Sequence, residues 1–68
     1  SVTEEEINQD PELARLYEER RQIQARITEL RVLRDAMQEE AYMAAMEELL
    51  VELALKNREI RAKEGNGL

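Results

Sequence analysis

The chain contains no cysteine, histidine, tryptophan or phenylalanine, and only one proline and two glycines among its 68 residues. Each absence excludes something. Without cysteine there is no disulfide, and without cysteine and histidine a structural zinc lacks its usual ligands. A domain this short buries a modest core and commonly relies on a disulfide, a metal or oligomerisation. Oligomerisation is the device left. A nucleophile paired with a general base is also missing: Ser1, Thr3 and Thr28 are the only small hydroxyls, and no imidazole can activate them. No catalytic residue is assigned, and the chain is expected not to be an enzyme. The acidic pairs Glu39-Glu40 and Glu47-Glu48 are adjacent in sequence, so on a helix their side chains diverge by about 100° and cannot chelate as pairs. Carboxylate metal sites in helix bundles also draw on a Glu-x-x-His motif, which this sequence lacks. No metal and no cofactor are expected. Apolar runs stay far below the roughly 18 residues of a membrane span, and the acidic start SVTEEEINQDP is unlike a secretory leader. The expectation is a soluble cytoplasmic chain that does not engage membranes.

What is present is helix-forming. Hydrophobic residues make up 43% and charged residues 38%, with a net charge of -6. That apolar share is too large for a disordered chain. Net acidity disfavours nonspecific binding to phosphate backbones. Thr3-Glu4-Glu5-Glu6 has the form of a capping box, with Val2 and Ile7 placed as a hydrophobic staple. Asp10-Pro11 then supplies an N-cap acceptor ahead of a proline at the first helical position. Residues 12–64 hold no glycine or proline and are rich in Leu, Ala, Glu, Arg, Met and Gln. Arg61 and Lys63 suit a last helical turn, with Gly65 as a left-handed cap. The organisation expected is a capped helical turn over 1–10, a helical region over 11–64 and a disordered tail over 65–68.

Within 11–64 the apolar phase changes. Leu13, Leu16, Ile23, Ile27, Leu30 and Met37 share one stripe, but its continuation would bring Glu48 and Arg58 into the seam. A second frame, Tyr42, Met46, Leu49, Leu50, Leu53, Asn57 and Ile60, replaces it. The change falls near 35–41. Charge follows the same division. Residues 1–12 carry five acids and no base, 13–34 six arginines and three glutamates, 35–52 six acids and no base, and 53–68 four bases and two glutamates. Folding back near Gln38 sets the acidic 42–52 block beside Arg26, Arg31 and Arg34, and brings the basic end to the acidic start. The fold predicted is all-α, a hairpin of two antiparallel helices that dimerises into a four-helix bundle or coiled coil. The alternative is one continuous helix of roughly 80 Å in a coiled-coil dimer, the phase change being a stutter.

The second helix carries a further stripe about half a turn from the first: Ala44, Val51, Leu55 and Ala62. A helix apolar on two sides is usually held between neighbours. Those four residues are predicted as an interface, together with Met43 and Met46, whose flexible thioethers suit adaptable contacts, and Asn57, a polar seam residue of the kind that fixes register. Leu13, Leu16, Ile23, Ile27, Leu30, Met37, Leu49, Leu50, Leu53 and Ile60 are predicted as the hairpin's own core. Arg20, Arg21 and Arg31 are candidates for nucleic-acid contact, although ion pairing between helices competes for them and only Tyr17 and Tyr42 could stack on bases. The function expected is protein–protein interaction or oligomerisation, as a small assembly factor, adaptor or regulatory subunit. Its expected partner is a second copy of itself, with a larger protein as another candidate. The alternative is a regulator directed at nucleic acid, binding it through the arginine helix or imitating its acidic surface.

Overall fold

The computed structural model describes residues 2–65, and over this range the chain is a helical hairpin. Three helices follow in order: α1, Glu4–Gln9; α2, Pro11–Val32; and α3, Glu39–Gly65. Between α2 and α3 lies a single 3-10 turn, Arg34–Ala36. α2 and α3 pack antiparallel, giving a particle of 44 × 18 × 16 Å. That length is about the rise of the 27 residues of α3 at 1.5 Å each. The continuous 80 Å rod is thereby excluded.

Local chemistry explains each boundary. The Thr3 hydroxyl accepts from the Glu6 amide at 3.1 Å, which starts α1. Asp10 ends α1 with an extended backbone and caps α2, its carboxylate accepting from the Glu12 and Leu13 amides at 3.1 Å each. The proline that follows loses no helical bond, because its position needs no donor. At the bend no residue adopts a positive φ. Leu33 stays near-helical, Ala36 and Met37 donate to the Leu33 and Arg34 carbonyls, and an extended Met37 turns the chain before α3. Reversal therefore occurs at 33–38 without glycine, and Asp35 sits inside the 3-10 turn rather than capping a helix. The other end also differs from expectation: Gly65 is the last helical residue and has no left-handed backbone. The rest of the predicted tail, 66–68, lies outside the described residues.

Two apolar clusters hold the helices together. Near the bend, Ile23, Ile27, Leu30, Tyr42 and Leu49 are buried, with Met37, Ala45, Met46 and Leu53 packed against them. At the open end Leu13, Leu16 and Ile60 are buried, and Val2, Ile7 and Tyr17 cover them. The short α1 thus closes the open end of the hairpin. Between the clusters the seam turns polar: Arg20 donates to the Asn57 side-chain carbonyl at 3.1 Å, and Lys56 pairs with Glu19 at 2.8 Å. This half-buried layer favours one register, since a slip by a turn would separate these partners.

Ionisation supports the same ends. Asp10 titrates below its ordinary 3.8, chiefly because the Leu13 amide bonds to its charged form, with Lys63 at 3.5 Å adding to it. Glu19 is lowered from 4.5 by the Lys56 and Arg15 bonds. Lys56 is raised above 10.5 by Glu19 and Glu59, and Tyr17 above 10.0 by its hydrogen bond to Glu64. A lowered carboxylate stabilises above its unfolded value and loses that contribution as pH falls through the folded one. A raised lysine or tyrosine stabilises below its unfolded value and loses it as pH rises. From these groups the melting temperature is expected to be level between about pH 5 and 9 and to fall on either side. Circular dichroism melts across pH check this; a maximum near pH 3 would contradict it.

Candidate helix-docking face

α3 is long, straight in sequence pattern and only half used by the hairpin. Tyr42, Leu49, Leu53 and Ile60 point at α2. On a wheel of about 100° per residue, a second apolar sector is centred about 150° from them. It contains Met43, Leu50, Val51 and Leu55, exposed by 55%, 48%, 53% and 54%, with Ala44 and Ala54 between. Met43, Ala44, Met46, Glu47, Leu50, Val51 and Ala54 line one shallow trough along the first half of this face. A smaller groove continues it across the hairpin, where Leu50 and Leu53 meet Gln24, Ile27, Thr28 and Arg31 of α2. The sector is broader than the stripe of Ala44, Val51, Leu55 and Ala62 expected from sequence. These four residues are all exposed.

Several residues take other places than expected. Leu50, assigned to the hairpin core, stands half exposed, because on the wheel it is turned about 80° from the centre of the α2-facing stripe. Met46, assigned to the interface, packs on the bend-side core and also reaches the trough. Asn57, assigned to the interface, is spent inside the hairpin on Arg20. Met43 faces out. Leu13, Leu16, Ile23, Ile27, Leu30, Leu49 and Ile60 are buried, and Met37 and Leu53 pack against them. Two exposed residues were missed by sequence reasoning: Val32 and Leu33, at 79% and 52%. Val32 lies roughly opposite the α2 stripe on the wheel, which was the available signal.

Charges on the two sides of α3 behave differently. On the α2 side they are paired across the hairpin: Arg26 with Glu52 at 3.3 Å, Lys56 with Glu19, and Lys63 with Asp10 and Glu12 at 3.5 and 3.6 Å. On the outer face lie Glu40, Glu47, Arg58 and Arg61. Among the described residues none of these four forms an ion pair. They are sorted by sign, acidic toward the bend and basic toward the open end.

The arginine candidates for nucleic acid have different neighbours. Arg20 bonds Asn57 and its guanidinium lies 4.6 Å from the Tyr17 ring centroid. Arg21 is held by Glu18 at 2.6 Å. Arg31 borders the groove beside Leu50 and Leu53 instead of meeting an acid. Arg34 rests 5.0 Å over the Tyr42 ring, a cation–π contact rather than the expected ion pair with the acidic block. Among the described residues no cluster of acids is arranged to hold a metal ion, and no helix is long and apolar enough to cross a membrane.

No family model matches the chain, and no curated protein or solved structure is significantly similar to it. The face on α3 therefore rests on its own geometry. It offers apolar contact, small residues that let a backbone approach closely, and charge at both ends.

Proposed function

We propose that the chain is a protein–protein interaction module that acts by docking the outer face of α3 against another helix, as a small assembly factor, adaptor or regulatory subunit. One observation carries this: four large apolar side chains, Met43, Leu50, Val51 and Leu55, lie together about half exposed on one side of a single helix. Scattered exposed leucines need no explanation, but an apolar sector of this breadth on one helix, interrupted by Glu47 and by charges toward its ends, marks a contact site. A small hairpin has few other means of adding to its buried apolar area. The nucleic-acid alternative draws less support, since Arg20 and Arg21 already have partners within the fold.

Charge placed on this face tests the proposal. In extracts of cells expressing the protein, the unaltered chain is expected to elute in a complex larger than the 8.0 kDa chain alone. The Val51→Glu, Leu55→Glu double variant is expected to elute as the free monomer with its helix content intact. Identical elution of the two would overturn the proposal.

A further inference from the structure

Resting on the docking face just proposed, we infer that its occupant is a second copy of this chain, bound with the two α3 helices antiparallel. The reason is the arrangement of charge. Ala44, Glu47, Val51, Ala54, Arg58 and Arg61 follow the alternating three- and four-residue spacing of a helix–helix seam. A two-fold axis passing between residues 52 and 53 maps this seam onto itself. Glu47 then faces Arg58 of the second copy, Val51 faces Ala54, and Ala44 faces Arg61. Leu50 and Leu55 exchange across the same axis, beside the seam. A closed dimer requires such self-complementarity, each contact being made twice.

Parallel pairing gives the reverse. Glu47 would meet Glu47 of the second copy, and Arg58 would meet Arg58. The ion pairs that cross the hairpin use Glu52, Lys56 and Lys63 of α3, and among the described residues Glu47 and Arg58 take part in none, so both are available for a contact outside the chain. The small residues Ala44 and Ala54 leave room for the long arginine and the valine opposite them. From residue 44 to 61 the seam runs about 26 Å, most of the length of α3. α2 and the second copy would then lie on nearly opposite sides of α3, a layered arrangement of four helices rather than a square bundle.

Sedimentation equilibrium of the purified chain, with charge-reversed variants, tests the inference. The unaltered chain is expected to reach twice 8.0 kDa in the micromolar range. Glu47→Arg and Arg58→Glu are each expected to weaken the dimer at least about tenfold, because each sets two like-charged pairs across the seam. The double variant carrying both changes is expected to recover it. Glu47→Arg is the sharper of the two, since it makes an acidic chain less negative, and a purely general repulsion would make it associate better. Circular dichroism of every variant verifies that the hairpin is folded. Single variants that associate as well as the unaltered chain would show a parallel or unrelated contact and overturn the inference. A purified chain that stays monomeric overturns it too. The docking face would survive that second result if the chain still elutes in a complex from extracts and loses it through Val51→Glu, Leu55→Glu.

Discussion

Ile60→Ala is expected to lower the melting temperature by about 10–20 °C, whereas Leu55→Ala in the same helix should change it by no more than a few degrees. Ile60 is 2% exposed and is α3's buried contribution to the open-end cluster with Leu13 and Leu16. Its truncation removes buried methyl groups and leaves space that a two-helix scaffold has little means of filling, at about 3 kcal/mol. Total stability for a chain of this length is on the order of 3–10 kcal/mol, so the loss is a large part of it. Leu55 keeps half of its surface in water in the single chain, and alanine is at least as good a helix former. The comparison is made by thermal melts at concentrations low enough to keep the chain monomeric. Equal destabilisation by the two changes would mean that Leu55 belongs to the hairpin's own core, leaving no outer face to dock.

The second large effect is on association. In Val51→Glu, Leu55→Glu, two carboxylates enter the middle of the apolar sector, on a chain already at -6. Unpaired charge inside an interface costs several kcal/mol, and each 1.4 kcal/mol is tenfold in affinity. Loss of at least about 100-fold in affinity is expected. The monomer should tolerate both changes, since glutamate forms helix well and both side chains are about half exposed in the single chain. Any partner measured by sedimentation or elution reports the loss. Unchanged affinity would place the contact elsewhere.

The hairpin itself was legible in the sequence because two independent patterns agreed. The apolar stripe of Leu13 to Met37 changes phase before Tyr42, and the charge blocks change sign at the same point. Caps were equally plain: Thr3, Asp10 and Pro11 have side chains or rings whose local chemistry fixes a helix start whatever surrounds them. The bend was less so, because Leu33 to Gln38 reverse direction through a 3-10 turn and one extended residue, neither of which has a strong residue signature. Leu50, assigned to the hairpin core, stands half exposed, and Asn57, read both as a seam residue and as part of the interface, is spent within the hairpin. Periodicity gives a residue's angle on its own helix, but which neighbour meets that angle depends on how the partner helix is rotated. Arg20 shows this most clearly. It occupies the seam spacing between Leu16 and Ile23, and only the packed pair reveals that Asn57 is there to receive it. The outer face of α3 was visible as a narrow stripe. Met43 had been placed with it, but its breadth, with Leu50 and Ala54 added, followed only once the direction of α2 was known.

The absence of cysteine allows the central claim, that another polypeptide covers the outer face of α3, to be measured at single positions. Ala54→Cys sets a thiol at the middle of that face, and Ala25→Cys sets one on the exposed side of α2. Labelling by a membrane-permeant maleimide, in cells expressing each variant, compares the two. The thiol at position 54 is expected to react about tenfold more slowly than that at 25, as when the uncovered state is about a tenth of the population. In dilute purified protein the two should react alike. Equal rates inside the cell would contradict the account.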